Sequence, residues 1–501
     1  MHPRPLRAAV IAVAGCGVLG ALMTSAAAAS TFVPQAAPHV WLSVRTGPPT
    51  TVVAVSGSGF GAHKAVDIYF DTLDEAVAST NSHGAFHRII VTVPASAVPG
   101  RHWITAVQRL SADSAQASFL VSTAWAQDRY SASQNGLNPY ENVLSASDVS
   151  QMGLRWSSAG DNETFSPAAV AGGKIYVGSA FDVYALSAAT GAVKWSYSPG
   201  PGPTYFSAPA VAAGIVYVVS SDGTVYALSA ATGALDWSYD TGDSASSSSA
   251  SPTVANGIVY VGTNNDYGSG SVYALNAMTG ALDWSYDSGP VTSSPAVADG
   301  VVYVYGSSIV YALNAATGSQ EWISVITQLI DGSSPAVADG LIYIGDGLGQ
   351  VYALSTAGAE TEWERTLASP NEDSSPAVAG GTLYIRSGDN VYALNAATGA
   401  TDWIYPTDGA IQSSPAVANG IVYIGSDDGS LYALNAATGE RLWSFFTGDT
   451  GETSPAVANG MVYTGYRGLY AFGLPGGTAE GVPRPHPAAL RPGPHVHLAS
   501  S

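Results

Sequence analysis

Two residue types that carry much of enzyme chemistry are nearly absent from most of this 501-residue chain. Its only cysteine, Cys16, lies close to the N-terminus, and all nine histidines fall outside residues 124–474. Residues 124–474 therefore cannot supply a Ser–His or Cys–His nucleophile pair. They also cannot supply an imidazole or thiolate ligand for a metal ion.

Positive charge is scarce as well. The chain has 17 Lys and Arg residues against 37 Asp and Glu residues, a net charge of −20. Between residues 125 and 474 the balance is 8 against 31, and the only lysines there are Lys174 and Lys194. Nucleic acids and anionic membrane surfaces bind clusters of Lys and Arg, so we expect neither as a partner. After the N-terminal leader, no stretch has the ~18 uninterrupted apolar residues of a transmembrane helix.

Residues 1–29 have the pattern of an export signal. Two arginines give a positive start, residues 8–23 form an apolar core, and Ala27–Ala29 provide a small-residue cleavage site. We therefore predict a secreted or cell-surface protein. Cys16 ends the sequence VAGC, which resembles a lipoprotein cleavage box, so lipidation there is the alternative. The apolar run continues beyond Cys16, which favours simple cleavage near Ala29 and a mature chain without cysteine.

What the chain does contain is a repeat of about 40 residues. The clearest copy, residues 413–443, has four short stretches of alternating β-branched and aromatic residues, separated by Asn-Gly, Asp-Gly and Ala-Ala-Thr-Gly turns. This pattern predicts strands and hairpin turns, not helices. A proline opens each of eight copies: Pro167, Pro209, Pro252, Pro295, Pro335, Pro376, Pro415 and Pro455. A tryptophan closes eight strands: Trp156, Trp195, Trp237, Trp284, Trp322, Trp363, Trp403 and Trp443.

The two series are out of phase at their ends. Trp156 closes a strand that no repeat precedes, whereas the last repeat, residues 454–474, has no tryptophan. The simplest solution is that residues 154–156 complete the sheet of the last repeat, which would close a ring and leave no long free edge. The predicted fold is therefore all-β, an eight-bladed β-propeller over residues 152–474 preceded by a small immunoglobulin-like β-sandwich.

The closing segment of each repeat resembles a known family motif. ALNAATGERLW at 433–443 fits A-x-[DN]-x-x-T-G-x-x-x-W, which resembles the tryptophan-docking motif of quinoprotein-type propellers. Five other spans match, the first two with Ser at the third position: 185–195, 227–237, 274–284, 312–322 and 393–403. The span 353–363 keeps its Ala and Trp but has Gly358 and Ala359 where Thr-Gly is expected. The resemblance implies that the eight tryptophans wedge one sheet against the next and do not stack on a ligand.

The same resemblance raises an enzyme hypothesis. The quinone-dependent dehydrogenases of this family hold their quinone beneath a ring of adjacent half-cystines and bind calcium through Glu, Asn and Asp. Here the adjacent cysteine pair is missing, and the repeats are short. We therefore expect no catalytic residue, no cofactor and no metal ion. Asp222-Gly223 and Asp428-Gly429 are expected to be turn residues in preference to calcium ligands, because the chain has no D-x-D-x-D-G run.

A second hypothesis is a non-catalytic platform. The chain resembles, in fold and repeat, the propeller lipoprotein of the outer-membrane barrel-assembly machinery, which uses this motif for protein contacts. We therefore expect an exported, monomeric scaffold that binds a protein or a cell-surface polymer. A polysaccharide-binding module is the alternative, and a quinone-dependent dehydrogenase is a third. Aromatic loops at one face of the ring would favour sugar, and acidic loops would favour a basic protein.

The candidate binding residues lie where the repeats differ. Strands are nearly identical between copies, so specificity is expected in loops. Four loops depart from the consensus: 200–206, 240–250, 264–270 and 367–373. Their candidate binding residues are Tyr205, Phe206, Asp266, Tyr267, Glu372 and Asp373. Tolerated insertion is the alternative explanation for these loops.

Three segments carry no repeat. Residues 38–123 show short alternating strands and Gly-rich turns, typical of a small sandwich, and resemble bacterial immunoglobulin-like domains. Residues 124–151 are interpreted as a linker, an irregular lead-in laid across the propeller. Residues 475–501 contain six prolines and no strand pattern, which predicts a disordered tail with solvated histidines.

Overall fold

A computed structural model describes the following parts of the chain: residues 37–159, 164–200, 204–243, 250–264, 268–326, 333–369, 374–448, 453–476, 485–487 and 490. The predicted leader and Cys16 lie outside these residues. Pro38–Ser501 form one compact unit. Within the described residues, no helix has the length and apolar character needed to cross a membrane.

Two sheets packed face to face form the first part of this unit. The strands are β1 (His39–Leu42), β2 (Thr46–Gly47), β3 (Val52–Ser58), β4 (Ala65–Phe70), β5 (Leu73–Ser79), β6 (Phe86–Thr92), β7 (Gly100–Gln108) and β8 (Ser114–Val121). One sheet has the order β1-β3-β6 and the other β2-β8-β7-β4-β5. Val55 from the first sheet and Ile68 and Phe119 from the second are fully buried in one core. The predicted sandwich is therefore present, and its kinship with immunoglobulin-like domains stays a prediction.

Eight sheets follow, one for each repeat, and we call them blades 1–8; each has four antiparallel strands, to which blade 7 adds β9 as a fifth, parallel strand. Between the sandwich and blade 1 lie β9 (Leu137–Asn138), a 3₁₀ turn (Val149–Gln151) and β10 (Gly153–Ala159). Blades 1–4 contain β11 (Ala169–Ala171), β12 (Lys174–Gly178), β13 (Val183–Ser187), β14 (Val193–Tyr197), β15 (Ala210–Ala212), β16 (Ile215–Val219), β17 (Thr224–Ser229), β18 (Leu235–Asp240), β19 (Thr253–Ala255), β20 (Ile258–Gly262), β21 (Ser271–Asn276), β22 (Leu282–Asp287), β23 (Ala296–Ala298), β24 (Val301–Gly306), β25 (Ile309–Asn314) and β26 (Gln320–Val325). Blades 5–8 contain β27 (Ala336–Ala338), β28 (Leu341–Gly345), β29 (Gln350–Ser355), β30 (Thr361–Thr366), β31 (Ala377–Ala379), β32 (Thr382–Ser387), β33 (Asn390–Asn395), β34 (Thr401–Pro406), β35 (Ala416–Ala418), β36 (Ile421–Ser426), β37 (Ser430–Asn435), β38 (Arg441–Phe446), β39 (Ala456–Ala458), β40 (Met461–Thr464) and β41 (Gly468–Gly473).

The sequence dictates the form of each blade. The Asn-Gly turns between the first two strands need positive φ at both positions, as at Asn419 (46°) and Gly420 (75°). The middle strands are buried on both sides, whereas the fourth strands expose alternate residues. Each blade must therefore bury both faces against its neighbours, which is the condition that a closed ring satisfies.

Blade 8 joins the two ends of the ring. Its first three strands are β39, β40 and β41, and its fourth is β10, from more than 300 residues earlier in the chain. β10 pairs antiparallel with β41, with Leu154 opposite Phe472 and Trp156 opposite Ala471. The predicted eight-bladed propeller is confirmed, and the ring closes as the mismatch between the two residue series predicted.

The eight tryptophans all make the same kind of contact between blades. Each indole Nε1 donates a hydrogen bond of 2.9–3.3 Å to a backbone carbonyl of the next blade, or of its lead-in: Trp156 to Ala188, Trp195 to Ala230, Trp237 to Ala277, Trp284 to Ala315, Trp322 to Thr356, Trp363 to Ala396, Trp403 to Ala436 and Trp443 to Met152. A tyrosine on the second strand often shares the acceptor, as Tyr176 does at Ala230 (3.2 Å). The glycine of the turn lies against the indole, and a Cβ on Gly233 would come within 2.6 Å of Trp195. Close approach of the indole therefore favours glycine at this position of the motif.

Replacing Trp284 should separate the packing from the hydrogen bond. Its side chain is only 8% exposed, so Trp284→Ala is expected to cost ~3–5 kcal/mol of unfolding free energy. Trp284→Phe keeps most of the ring and loses the N–H, and should cost roughly 0.5–1.5 kcal/mol. Denaturant melts followed by circular dichroism measure both. A loss below ~1 kcal/mol for the alanine variant would contradict the packing.

Candidate functional site

Residues 125–138, which we call the axial segment, line the inner edges of all eight blades. Each innermost strand has a central valine, and seven of these valines donate their N–H to the segment: Val170 to Trp125 O (2.6 Å), Val211 to Ala126 O (2.6 Å), Val254 to Gln127 Oε1 (3.0 Å), Val297 to Ala132 O (2.6 Å), Val337 to Ser133 O (2.9 Å), Val378 to Asn135 O (2.9 Å) and Val417 to Gly136 O (2.8 Å). In blade 8 the Asn138 Nδ2 donates to the Val457 carbonyl (2.8 Å).

The interpretation of residues 124–151 as a linker was incomplete. An innermost strand has one edge without a neighbouring strand, and its polar groups are buried where the ring narrows. Buried backbone N–H groups need acceptors. The axial segment supplies them one blade at a time and ends in β9, which pairs in parallel with β35 of blade 7. The segment is therefore part of the ring.

A charged pair lies at the turn of the axial segment. Arg129 is buried, and its Nε donates to the Gln134 carbonyl at 3.1 Å while its Nη2 donates to Pro376 O. Burial lowers the pKa of Arg129 to about 10, against the opposing effect of Asp128. Burial also raises the pKa of Asp128, although Arg129 and a hydrogen bond from Ser251 oppose the rise. Asp128 and Arg129 thus offset each other's charge at the centre of the ring.

A carboxyl group with a raised pKa beside a cavity is a usual sign of a catalytic acid or base. The cavity beside Asp128 and Arg129 measures about 10 Å³ and is lined by Trp125 and by prolines that open the repeats. That volume holds roughly one water molecule. A substrate therefore has no room at this position, and the charged pair is explained by its structural contacts.

The remaining surfaces of the propeller are its two faces and its rim. Connections between the second and third strands, and those between blades, lie at one end of the strands, which we call the loop face. Connections between strands one and two and between strands three and four lie at the opposite end, the turn face. The sandwich joins the turn face, where Thr123 N donates to Asn459 Oδ1 (2.9 Å) and Asn142 Nδ2 donates to Ala97 O (2.9 Å).

The loop face is strongly acidic. In the described residues its connections contain one basic residue, Arg467, and eight aspartates: Asp182, Asp222, Asp243, Asp346, Asp389, Asp408, Asp427 and Asp428. Burial alone would raise the pKa of Asp428, but hydrogen bonds from Tyr432 (2.7 Å) and Ser430 (2.8 Å) lower it below its usual value. In the same way, hydrogen bonds from Ser220 and Thr224 outweigh burial and lower the pKa of Asp222. Both carboxylates therefore stay ionised well below neutral pH.

The predicted binding residues have different positions on this face. Tyr205 is 55% exposed in the connection between blades 1 and 2. Its neighbour Phe206 is 6% exposed and packs edge-on against Tyr226 at 6.1 Å, so its ring belongs to the core between blades 1 and 2. Asp266, Tyr267, Glu372 and Asp373 lie outside the described residues.

One surface feature was missed by the sequence prediction. A groove of about 470 Å³ lies on the turn face between blades 2 and 3, lined by small residues such as Ala213 and by Met278. Met278 replaces an alanine of the Ala-Ala-Thr-Gly turn and is 68% exposed. The sequence signal for this groove is the methionine in place of alanine at position 278.

Comparison with known proteins identifies the family. The family model described as outer membrane protein assembly factor BamB matches residues 141–287, 244–375 and 371–478, which together span 141–478 of the 501 residues. The chain belongs to the BamB-type propeller family. Among curated proteins, none matches the chain.

Solved structures share the fold at low identity. Quinohemoprotein alcohol dehydrogenase ADHIIG from Pseudomonas putida HK5 is 19% identical with a TM-score of 0.62, covering 73% of this chain and 82% of its own. The corresponding enzyme from Comamonas testosteroni is 17% identical with a TM-score of 0.61, with the same coverage. BamB from Moraxella catarrhalis is 20% identical with a TM-score of 0.54, covering 64% of this chain and 98% of its own. Dehydrogenases and an assembly factor thus share this architecture.

The described residues on the axis of this BamB-type chain leave no room for a quinone cofactor. A pocket for a small molecule usually has a volume of about 300 Å³ or more, and the cavity on the axis has about 10 Å³. A single cysteine cannot form an adjacent cysteine pair. Within the described residues, no three His, Cys, Asp or Glu side chains come together as a metal site.

The axial segment can be tested through Gly136. Gly136 has φ +63°, and an added Cβ would lie 2.8 Å from both Ala377 Cβ and Arg129 Nη2. Gly172 has φ +57° with nothing within 4 Å, so it is a matched control for the backbone conformation alone. Gly172→Ala should cost ~1–2 kcal/mol. Gly136→Ala should cost a further ~1–3 kcal/mol, because its methyl group overpacks the axis. If denaturant melts show the same loss of unfolding free energy for Gly136→Ala and Gly172→Ala, the axial segment is loosely packed.

Proposed function

We propose that this protein is an exported, non-catalytic propeller that serves as a platform for another protein. The observation that carries the proposal is the axial segment, which fills the centre of the ring with the chain's own backbone and with the Asp128–Arg129 pair. The centre then offers no volume for chemistry, and what remains for function is surface. The family assignment supports the same conclusion, because its description is that of an assembly factor.

The loop face is the proposed binding surface. The sandwich attaches to the turn face, so the ends of the variable connections are left open on the other side. Seven of the eight aspartates in its described connections are at least partly exposed, against one arginine, and such a surface would attract a partner with positive charge. Tyr205 provides an exposed aromatic side chain among these connections, and such residues often anchor interfaces. We therefore propose a protein with a basic segment as the partner.

The non-catalytic part of the proposal has a direct test. Purified full-length protein is incubated with pyrroloquinoline quinone and calcium, and binding is followed by calorimetry and by dye reduction with alcohols. We expect neither saturable binding nor dye reduction, because the axis lacks space and the chain lacks the cysteine pair. A quinohemoprotein alcohol dehydrogenase is the positive control. Saturable quinone binding together with dye reduction would overturn the proposal.

The binding part can be tested by site-specific photo-crosslinking in the cells that export the protein. A photoreactive phenylalanine derivative replaces Tyr205 on the loop face, and in the control variant it replaces Met278 on the turn face, which is similarly exposed. We expect a discrete adduct with a protein from position 205 and none from position 278. The adduct should weaken as salt is raised, because exposed charges are screened. Equal adducts from both positions, or none from 205, would contradict the proposal.

A further inference from the structure

The outer face of the three-stranded sheet β1-β3-β6 carries three neighbouring aromatic rings, two on β1 and one on β6. Trp41 lies at its centre and is 38% exposed. The His39 ring stacks beside it with centroids 5.9 Å apart and planes at 29°, and the His87 ring follows on the other side at 6.5 Å and 57°. Exposed Val52 and Ile90 extend the same face. An exposed patch of this composition is typical of a binding surface.

A β-bulge exposes Arg88 next to His87. β3 and β6 shift register between Val55 and Gly57, so that His87 and Arg88 lie opposite Ser56. Arg88 takes the left-handed conformation (φ 52°), and its N–H donates to Ser56 Oγ at 3.0 Å. Both His87 and Arg88 are consequently exposed, although successive strand residues normally point to opposite faces. Bulges are a known way to re-aim a side chain.

The charge of this sheet differs from that of the rest of the chain. β1, β3 and β6 contain no Asp or Glu, whereas the other sheet of the sandwich carries Asp67, Asp74 and Glu75. In a protein with a net charge of −20, a face with one arginine, two histidines and no carboxylate is an exception. Such a face complements a negatively charged ligand.

We propose that the outer face of β1-β3-β6 binds an acidic polysaccharide, a chain of uronic acid units. Each unit combines an apolar ring face, which can stack on Trp41 and its flanking rings, with a carboxylate, which can pair with the Arg88 guanidinium. An open sheet face leaves room for an extended polymer, whose successive units can reach both the rings and Arg88. This site is separate from the loop face and does not depend on the function proposed for it.

The test uses the purified full-length chain and three polymers. Polygalacturonate supplies sugar rings and carboxylates, dextran supplies rings without charge, and poly-L-glutamate supplies carboxylates without rings. Retardation in native gels that contain each polymer, followed by calorimetry, gives the affinities. We expect binding to polygalacturonate only, with an affinity that falls as salt is raised.

Four variants assign the binding to this face. Trp41→Ala should weaken polygalacturonate binding about tenfold. Arg88→Asn removes the charge, and asparagine tolerates the left-handed conformation at this position. This variant should also weaken polygalacturonate binding about tenfold. Arg88→Lys keeps the charge and should retain more affinity than Arg88→Asn. Leu120→Ala, at an exposed apolar position on the other sheet, is the control and should bind like the unmodified protein.

Thermal melts verify that the variants fold. Arg88→Asn and Trp41→Ala alter different strands, so if one variant is unstable the other still tests whether this face binds the polymer. The proposal is overturned if polygalacturonate does not retard the protein. It is equally overturned if poly-L-glutamate or dextran binds as well as polygalacturonate, since bare charge or nonspecific sugar contact would then explain the result. Unchanged binding in both Trp41→Ala and Arg88→Asn would also overturn it.

Discussion

The structure depends on how eight inner strand edges are hydrogen-bonded where the blades converge. A propeller removes long edges at its circumference, yet each innermost strand still has one side without a neighbouring strand. The space there is too narrow for eight more strands. In this protein one irregular segment passes from blade to blade and accepts a hydrogen bond from the central valine of seven of them, including Val211, Val297 and Val417. Satisfying these groups fills the axis, and the filled axis is the reason for which we propose a function on the surface.

The contact between blades solves a second problem, which is to hold each sheet at a fixed position relative to the next. Packing of apolar faces alone is not directional, whereas a hydrogen bond is. The indole combines both, because its ring packs on a glycine and its N–H meets a carbonyl of the following blade. The same hydrogen bond is made where the ring closes, but there the acceptor precedes the strand: the Trp443 indole N–H donates to the Met152 carbonyl, just before β10. The ring is thereby joined through a strand that the chain provides before the first repeat.

Much of this fold could be predicted from the sequence, because its causes repeat. Residue alternation and turn residues predict the strands of each blade, and the counts of prolines and tryptophans predict eight blades. Trp156, which no repeat precedes, predicts how the ring closes. The axial segment was not predictable in the same way, because most of its bonds use backbone carbonyls, which no side-chain pattern reports. A physical clue existed in the eight small innermost strands, whose N–H groups needed acceptors. Phe206 illustrates a further limit, since a single loop residue can turn inward without changing any periodicity.

The surface chemistry is divided between the two parts of the chain. Acidic residues are concentrated in the connections of the loop face, where Asp222 and Asp428 are held ionised by hydrogen bonds from their own turns. The β1-β3-β6 sheet of the sandwich lacks carboxylates altogether and exposes Trp41 and Arg88. Because the sandwich attaches to the turn face, neither surface blocks the other. The two proposed partners differ in charge and would bind on different parts of the protein, so the proposals predict that they do not compete for one site.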